Sequence, residues 1–246
     1  MIKKLLLINN VTLFFIYEIM RPIKITPDII SNADGSILYQ SGKTEVICTA
    51  TFESKTPEWL HNGGWITAEY SMLPASTSSR VPREISRGKK SPRSQEIQRL
   101  IGRSLRGAID LNEIPGNSIY VDCDVINADG GTRTASINGG YLALALALKK
   151  KLPEINLQNR ITPIAAISVG KVNGEIVEDL DYEMDSNADV DLNLVMNSKY
   201  EMIEIQGTGE KGTFSVPELN EMIELGKKCI EKIFIEQEKV LKSYDG

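Results

Sequence analysis

Residues 136–150, SINGGYLALALALKK, would present an apolar surface nearly all the way round a helix. A helix with one apolar stripe can lie on a surface, but a helix without a polar face has to be enclosed. The rest of the chain is therefore expected to wrap this segment. At 246 residues, 41% of them hydrophobic, it is long enough to build a substantial core around it. Short strands are expected at 36–40, 44–53 and 65–72. The stretch SIYVDCDVI alternates, with Ile119, Val121, Cys123 and Val125 on one face and Asp122 and Asp124 on the other. Asn173-Gly174, between PIAAISVGKV and EIVEDLDY, is a two-residue hairpin signal. A second hairpin is expected around Asn197-Ser198-Lys199, between VDLNLVM and EMIEIQG.

Two further helices flank the central one. Ser91 can cap a helix whose first position is Pro92, with Ile97, Leu100, Ile101, Leu105 and Ala108 as its buried stripe. Ser215 and Glu218 form a capping-box pattern ahead of a long helix burying Leu219, Met222, Ile223, Ile230, Ile233 and Phe234. Meanders and hairpins of strands with helices between them indicate an α+β fold with mixed or antiparallel sheets, rather than a doubly wound parallel sheet.

The segment just before the central helix, ADGGTRTAS (128–136), is rich in donors. Glycines let backbone N–H groups converge, a helix N-terminus adds free N–H groups, and Arg133 adds a planar fork suited to phosphate. Gly131, Thr132 and Arg133 can thus hold an anion, although a simple turn capped by Thr or Ser fits the same letters. Arg93, in the first turn of its own helix, faces a dipole that disfavours a cation unless an anion sits nearby. Further on, DLDYEMDSNADVDLNLVM holds Asp179, Asp181, Glu183, Asp185, Asp189 and Asp191. In an extended chain Asp189 and Asp191 share a face, and Asp185 can fold back toward them across SNA. Clustered carboxylates suit a magnesium or manganese ion, although a bare acidic loop has the same composition.

The single histidine, His61, rules out a multi-histidine metal site within the chain, and no G-x-S-x-G motif accompanies it. Cys48, Cys123 and Cys229 form no C-x-x-C pair and fit a reducing compartment, which points to the cytoplasm. The net charge is −5, yet between Arg80 and Arg106 nine basic residues stand against two acidic ones, Glu84 and Glu96. A basic patch on an acidic body suits a polyanion, and a solvated basic face is the competing explanation. Residues 1–20 have a basic start and an apolar centre interrupted by Asn9 and Asn10, with Glu18 following, too broken for a membrane span, and are expected to be an atypical leader or a first strand.

Together, an anion cradle, a second arginine, a polyanion track and a carboxylate cluster describe phosphoryl transfer on a nucleic acid. The runs GGWITAEYSMLPASTSSR, RSQEIQRLIGRSLRGAIDL, VDCDVINADGGTRTASINGG, ISVGKVNGEIVEDLDYEMDSNADVDLNLVM and IEIQGTGE resemble the bacterial ribonuclease PH family from about Arg21 onward. That resemblance implies one domain over 21–246 with a ribosomal-protein-S5-like α+β fold, assembled as a hexamer, a trimer of dimers. It implies phosphorolytic 3′–5′ trimming of RNA, chiefly the 3′ ends of precursor tRNA, with inorganic phosphate as co-substrate and nucleoside diphosphates released. It assigns phosphate binding to Arg93, Gly131, Thr132 and Arg133. It gives magnesium or manganese, and catalysis, to Asp185 and Asp191, with Asp191 as candidate general acid. RNA contact falls on Arg80, Arg83 and Arg99.

Three departures accompany the resemblance. The family's opening Arg-Pro-x-Gly-Arg segment is absent, Ala75 stands where many members have arginine, and Pro92 replaces a glycine before Arg93. A non-catalytic RNA-binding ring subunit of an exosome-like assembly is the rival reading, although such subunits typically lose the arginine or aspartate set that this chain retains. Polynucleotide phosphorylase carries two such domains and needs a longer chain.

Overall fold

The computed structural model describes residues 20–153 and 160–244, so the apolar leader read at 1–20 lies outside them except for Met20. Two sheets enclose a central helix. The first contains β1 (Ile23–Pro27), β2 (Gly35–Ser41), β3 (Thr44–Glu53), β4 (Trp65–Met72) and β5 (Ser118–Asn127), in the order β1-β2-β3-β5-β4. All neighbours are antiparallel except β4 and β5, which run parallel and are joined through α1 (Pro92–Arg106). The second sheet is an antiparallel set ordered β7-β6-β8-β9, from β6 (Ile164–Val172), β7 (Glu175–Glu178), β8 (Val190–Asn197) and β9 (Met202–Gly209).

The enclosed helix is α2 (Thr132–Lys151), buried continuously from Thr134 to Leu148 against strands of both sheets. Its close fit explains Gly139, where an added Cβ would lie 2.7 Å from Cys48 Sγ. Asn138 is the polar exception inside this core. Its amide donates to the Ala166 carbonyl at 2.9 Å and accepts the Ala166 N–H at 2.7 Å, which ties the helix to β6 with every amide bond satisfied locally. The last helix, α4 (Val216–Ser243), covers the second sheet and carries the expected capping box at Ser215 and Glu218. The alternation of β5 and the helix cap at Ser91 are as expected. So is the Asn173-Gly174 turn, in which both residues have positive φ.

Several expectations need correction. The central helix begins at Thr132, not near 136, because Gly131 at φ 64° already turns the chain into helical register. Strand β1 was not expected: its five residues include two β-branched isoleucines and a threonine, too short a run to signal itself. The stretch EIVEDLDY is strand only to Glu178, since Asp179 adopts φ +52° and turns the chain out of the sheet. A short helix, α3 (Tyr182–Asn187), follows, capped by Asp181, which accepts the Met184 N–H at 2.9 Å. Asp185 is therefore helical, and Asp189 precedes β8 rather than sharing an extended face with Asp191. Leu219, Ile223 and Phe234 are only partly buried, and Ala108 is buried but lies beyond the end of α1. Cys48 and Cys123, distant in sequence, are direct cross-strand partners in the core.

Candidate active site

The topology draws four chain segments to one end of the molecule: the loop before α2, the N-terminus of α1, α3, and the start of β8. The loop is built from consecutive left-handed glycines, Gly130 at φ 74° and Gly131 at φ 64°. A side chain at Gly130 has no room, because its Cβ would collide with the Leu180 carbonyl and lie 2.8 Å from Asp181 Cα. The donor-rich loop and the acidic segment are thus in direct backbone contact.

Three successive carbonyls of this loop are tied toward the protein interior. Asp129 O accepts from Arg21 Nη1 at 2.6 Å, Gly130 O accepts from Thr44 Oγ1 at 2.6 Å, and Gly131 O accepts from Thr134 Oγ1 at 2.9 Å. A trans peptide points its N–H opposite to its C=O. The N–H groups of Gly130, Gly131 and Thr132 therefore face away from those anchors. Successive N–H groups in such a turn form a concave nest for an anion, reinforced by the N-terminus of α2. Gly131 is itself the N-cap and receives no side-chain cap, so the alternative of a Thr or Ser cap is not what forms.

Arg133 projects from the first turn of α2, where Gln206 of β9 accepts from its Nη1 at 3.1 Å and Glu96 lies 3.6 Å from its Nη2. Gln206 in turn donates to Glu96 at 2.9 Å, giving the guanidinium a fixed orientation. Arg93 is exposed at the start of α1. Buried Tyr70, whose hydroxyl bonds Thr132 Oγ1 at 2.9 Å, lies in the electrostatic field of both Arg93 and Arg133. Tyr70, Gln206 and Glu96 were not assigned to the site from sequence. None belongs to a recognisable motif, and only the pairing of distant strands brings them here.

On the facing side, loss of water raises the Asp185 carboxyl, while Arg93 and Arg133 pull it down. Asp191, half-buried at the start of β8, is pushed up to about 6, first by burial and then by the charge of Asp185, against the pull of Arg133 and of Asn193. Asn193 Nδ2 lies 3.2 Å from Asp191 Oδ2. Glu210 raises both carboxyls. The site is therefore two arginines and an N–H nest facing a pair of crowded carboxylates.

That pair fits a hard divalent cation in chemistry, because oxygen donors and uncompensated negative charge favour magnesium or manganese. It supplies only part of a coordination shell: among the described residues, no group of three or more His, Cys, Asp or Glu is arranged to hold a metal. Magnesium usually keeps waters and substrate phosphate oxygens in such sites, so a two-carboxylate platform is sufficient.

The basic segment divides into two kinds of residue. Arg80, Arg83 and Arg99 are exposed. Arg103 is engaged by Glu204 through two bonds of 2.9 and 2.5 Å, Lys90 pairs with Glu69 at 2.8 Å, and Arg106 stacks on Trp65 with its charge 4.6 Å from the ring centre. Asp189 hydrogen-bonds through its backbone to Lys171 and Glu210. His61 is exposed in its turn. Among the described residues, no helix is long and apolar enough to cross a membrane.

Comparison with known proteins matches residues 19–150 to domain 1 of the 3′ exoribonuclease family and residues 162–229 to domain 2. Ribonuclease PH of Neisseria meningitidis serogroup C is 50% identical over 226 residues, covering 90% of this chain and 93% of that protein. Ribonuclease PH of Bdellovibrio bacteriovorus is 47% identical over 230 residues, covering 92% and 94%. Among solved structures, rice Rrp46 superposes with a TM-score of 0.74 at 19% identity, covering 90% of this chain and 95% of that one. The Archaeoglobus fulgidus exosome with RNA bound to the active site gives 0.74 at 20% identity, covering 88% of each chain. At those identities the superpositions establish the fold.

Proposed function

The chain belongs to the 3′ exoribonuclease family, as a ribonuclease PH, and on that premise we propose how its residues divide the work. It is a phosphorolytic 3′–5′ exoribonuclease. An oxygen of inorganic phosphate attacks the phosphorus of the terminal phosphodiester. The bond to the 3′ oxygen of the preceding nucleotide breaks, that oxygen leaves with the electron pair and takes a proton, and a nucleoside diphosphate is released.

In our reading Gly131, Thr132, Arg133 and Arg93 hold the attacking phosphate, and the observation that carries this is the loop whose three carbonyls are tied inward. A preorganised nest plus two guanidinium forks favours the dianion and the charge that spreads over equatorial oxygens in phosphoryl transfer. Asp191 faces the leaving oxygen. Without a metal its carboxyl is raised to about 6, which makes it the candidate source of the proton that the 3′ oxygen needs; as a metal ligand it would be ionised and that proton would come from water. Asp185 and Asp191 would hold magnesium or manganese, which when bound supplies charge neutralisation at the phosphodiester. Arg80, Arg83 and Arg99 contact the RNA backbone upstream of the 3′ end, where exposed cations give affinity without sequence preference.

The substrate we favour is the 3′ end of precursor tRNA, whose folded body can reach the exposed arginines while its single-stranded tail enters the site. The protein would act in the cytoplasm, with its thiols reduced, as a homo-oligomer: a hexameric trimer of dimers, in keeping with the exosome assemblies among its structural neighbours. The test is incubation with 3′-extended tRNA and magnesium, with and without phosphate. Nucleoside diphosphates formed only with phosphate are expected. Nucleoside monophosphates formed equally well without it would overturn the reading.

A further inference from the structure

Arg21 and Asp179 form a buried ion pair that no step of the reaction uses, with side chains 14% and 4% exposed. Asp179 Oδ2 accepts from the Arg21 backbone N–H at 2.8 Å and from Nε at 3.0 Å, and Oδ1 accepts from Nη2 at 2.6 Å. Three donors of one residue thus saturate one carboxylate. Burial by itself would lower the guanidinium, and the bonds and charge of Asp179 more than restore it.

The remaining guanidinium nitrogen, Nη1, donates to the Asp129 carbonyl, the first of the three that are tied inward. The same guanidinium lies under Gly131, where an added Cβ would sit 3.0 Å from Nη2. Asp179 belongs to the acidic segment and holds φ +52°, a conformation costly for a residue other than glycine. Its N–H donates to Ser168 O at 2.7 Å, and the next N–H, of Leu180, donates to Ser168 Oγ at 3.2 Å. Two residues further on begins α3, which carries Asp185. The pair therefore joins the loop before α2, the segment leading to the carboxylates, and the chain entering β1. Thr44 completes the arrangement by accepting the Asp129 N–H at 3.0 Å while donating to Gly130 O.

We infer that Arg21 and Asp179 are positioning residues for phosphate: they fix the peptide planes of Asp129 and Gly130 and hold that loop at a set distance from the acidic segment. The inference rests on the phosphorolytic reading of the site. Its physical basis is that a guanidinium held along its Nε–Nη2 edge by a buried carboxylate, which also grips the backbone N–H of the same residue, cannot follow the loop if the loop tries to flip. Releasing the Asp129 carbonyl would let the Gly130 N–H rotate away from the nest, at the cost of phosphate affinity and with little effect on how RNA is held.

The test compares the full-length parent with Arg21→Lys, Asp179→Asn and the paired apolar replacement Arg21→Met/Asp179→Leu. Phosphate and RNA are titrated separately in the nucleoside diphosphate assay, and heat protection by inorganic phosphate alone is read without turnover. Each variant is expected to raise the phosphate KM about tenfold or more and to lose phosphate protection, with the RNA KM within about twofold. A buried pair that is replaced on both sides by apolar groups commonly regains stability. The paired variant should therefore melt above a protein in which only one partner is made apolar, and its phosphate KM should stay raised while its RNA KM stays near the parent's, a split that a purely structural role would not produce. A phosphate KM and protection within twofold of the parent, in the paired variant or in both single variants, overturns the inference. So does an equal rise in the KM for RNA. A parent that needs no phosphate for turnover would instead sink the reading of the reaction, and the protection measurement would still judge the clamp.

Discussion

Replacing Asp191 by asparagine should stabilise the metal-free protein, and by an amount that depends on pH. The Asp191 carboxyl sits at about 6 in the folded chain against an ordinary value of 3.8. A carboxyl whose folded value is raised binds its proton more firmly folded than unfolded. The stability this confers is complete below about pH 4 and is lost as pH rises through about 6. At 1.36 kcal/mol for each pKa unit, the ionised carboxylate costs the fold at most about 3 kcal/mol above pH 7. Asparagine keeps the shape and carries no charge, so its advantage grows between pH 4 and 7 and then levels off. For a chain of this size about 1 kcal/mol moves the melting temperature by about 2–4 °C. The variant should therefore melt several degrees above the parent at pH 8 and with a gap about a third as large at pH 4.5, in chelator and at fixed protein concentration. Excess magnesium should narrow the gap at pH 8 by stabilising the parent alone, because only the parent keeps both carboxylates. A gap that is the same at both pH values, or a variant that melts lower at pH 8, would refute the argument that Asp191 is a crowded, poorly hydrated carboxylate.

Arg93→Ala and Arg133→Ala should each lower kcat/KM for phosphate by about 10²-fold or more, as removal of one charged contact to a developing oxyanion does elsewhere; an unchanged phosphate titration would move the nest away from this loop. Arg80→Ala with Arg83→Ala should weaken tRNA binding across sequences and flatten its salt dependence, while a trinucleotide is affected less; equal losses on both substrates would remove these residues from the RNA path. Asp185→Asn and Asp191→Asn should abolish nucleotide release with RNA binding retained, whereas Asp189→Asn keeps measurable activity; the reverse pattern would mean that the acidic register is wrongly assigned. Gly139→Ala should destabilise the protein by about 1–3 kcal/mol in a denaturant melt, because its Cβ would press on buried Cys48; a silent substitution would show the core to be looser than it is drawn.

What could be read from the letters, and what could not, follows from the range of the interactions involved. The central helix announces itself because a segment without a polar face has only one place to go, and Thr134 to Leu148 are indeed buried throughout. The Asn173-Gly174 turn and the Ser215–Glu218 capping box are equally legible, since each is a contact within four residues. The short helix at Tyr182–Asn187 was hidden because it is imposed from outside. Asp179 leaves the sheet at φ +52° with its carboxylate gripped by Arg21, 158 positions earlier, and its N–H bonded to Ser168, and Asp181 caps the helix just after that turn. The candidate site divides in the same way. Its glycines, arginines and aspartates lie in motifs dense enough to be picked out one by one. Tyr70, Gln206 and Glu96, which orient them, sit on β4, β9 and α1 with nothing local to mark them. A chain can thus display its donors and acceptors in short runs while the geometry that makes them a site is carried by isolated residues that topology alone brings within reach. In this protein the clearest case is Arg21: one guanidinium holds the backbone of the donor loop and the carboxylate of the acidic segment at once, so the spacing between the two halves of the site is set by a residue belonging to neither.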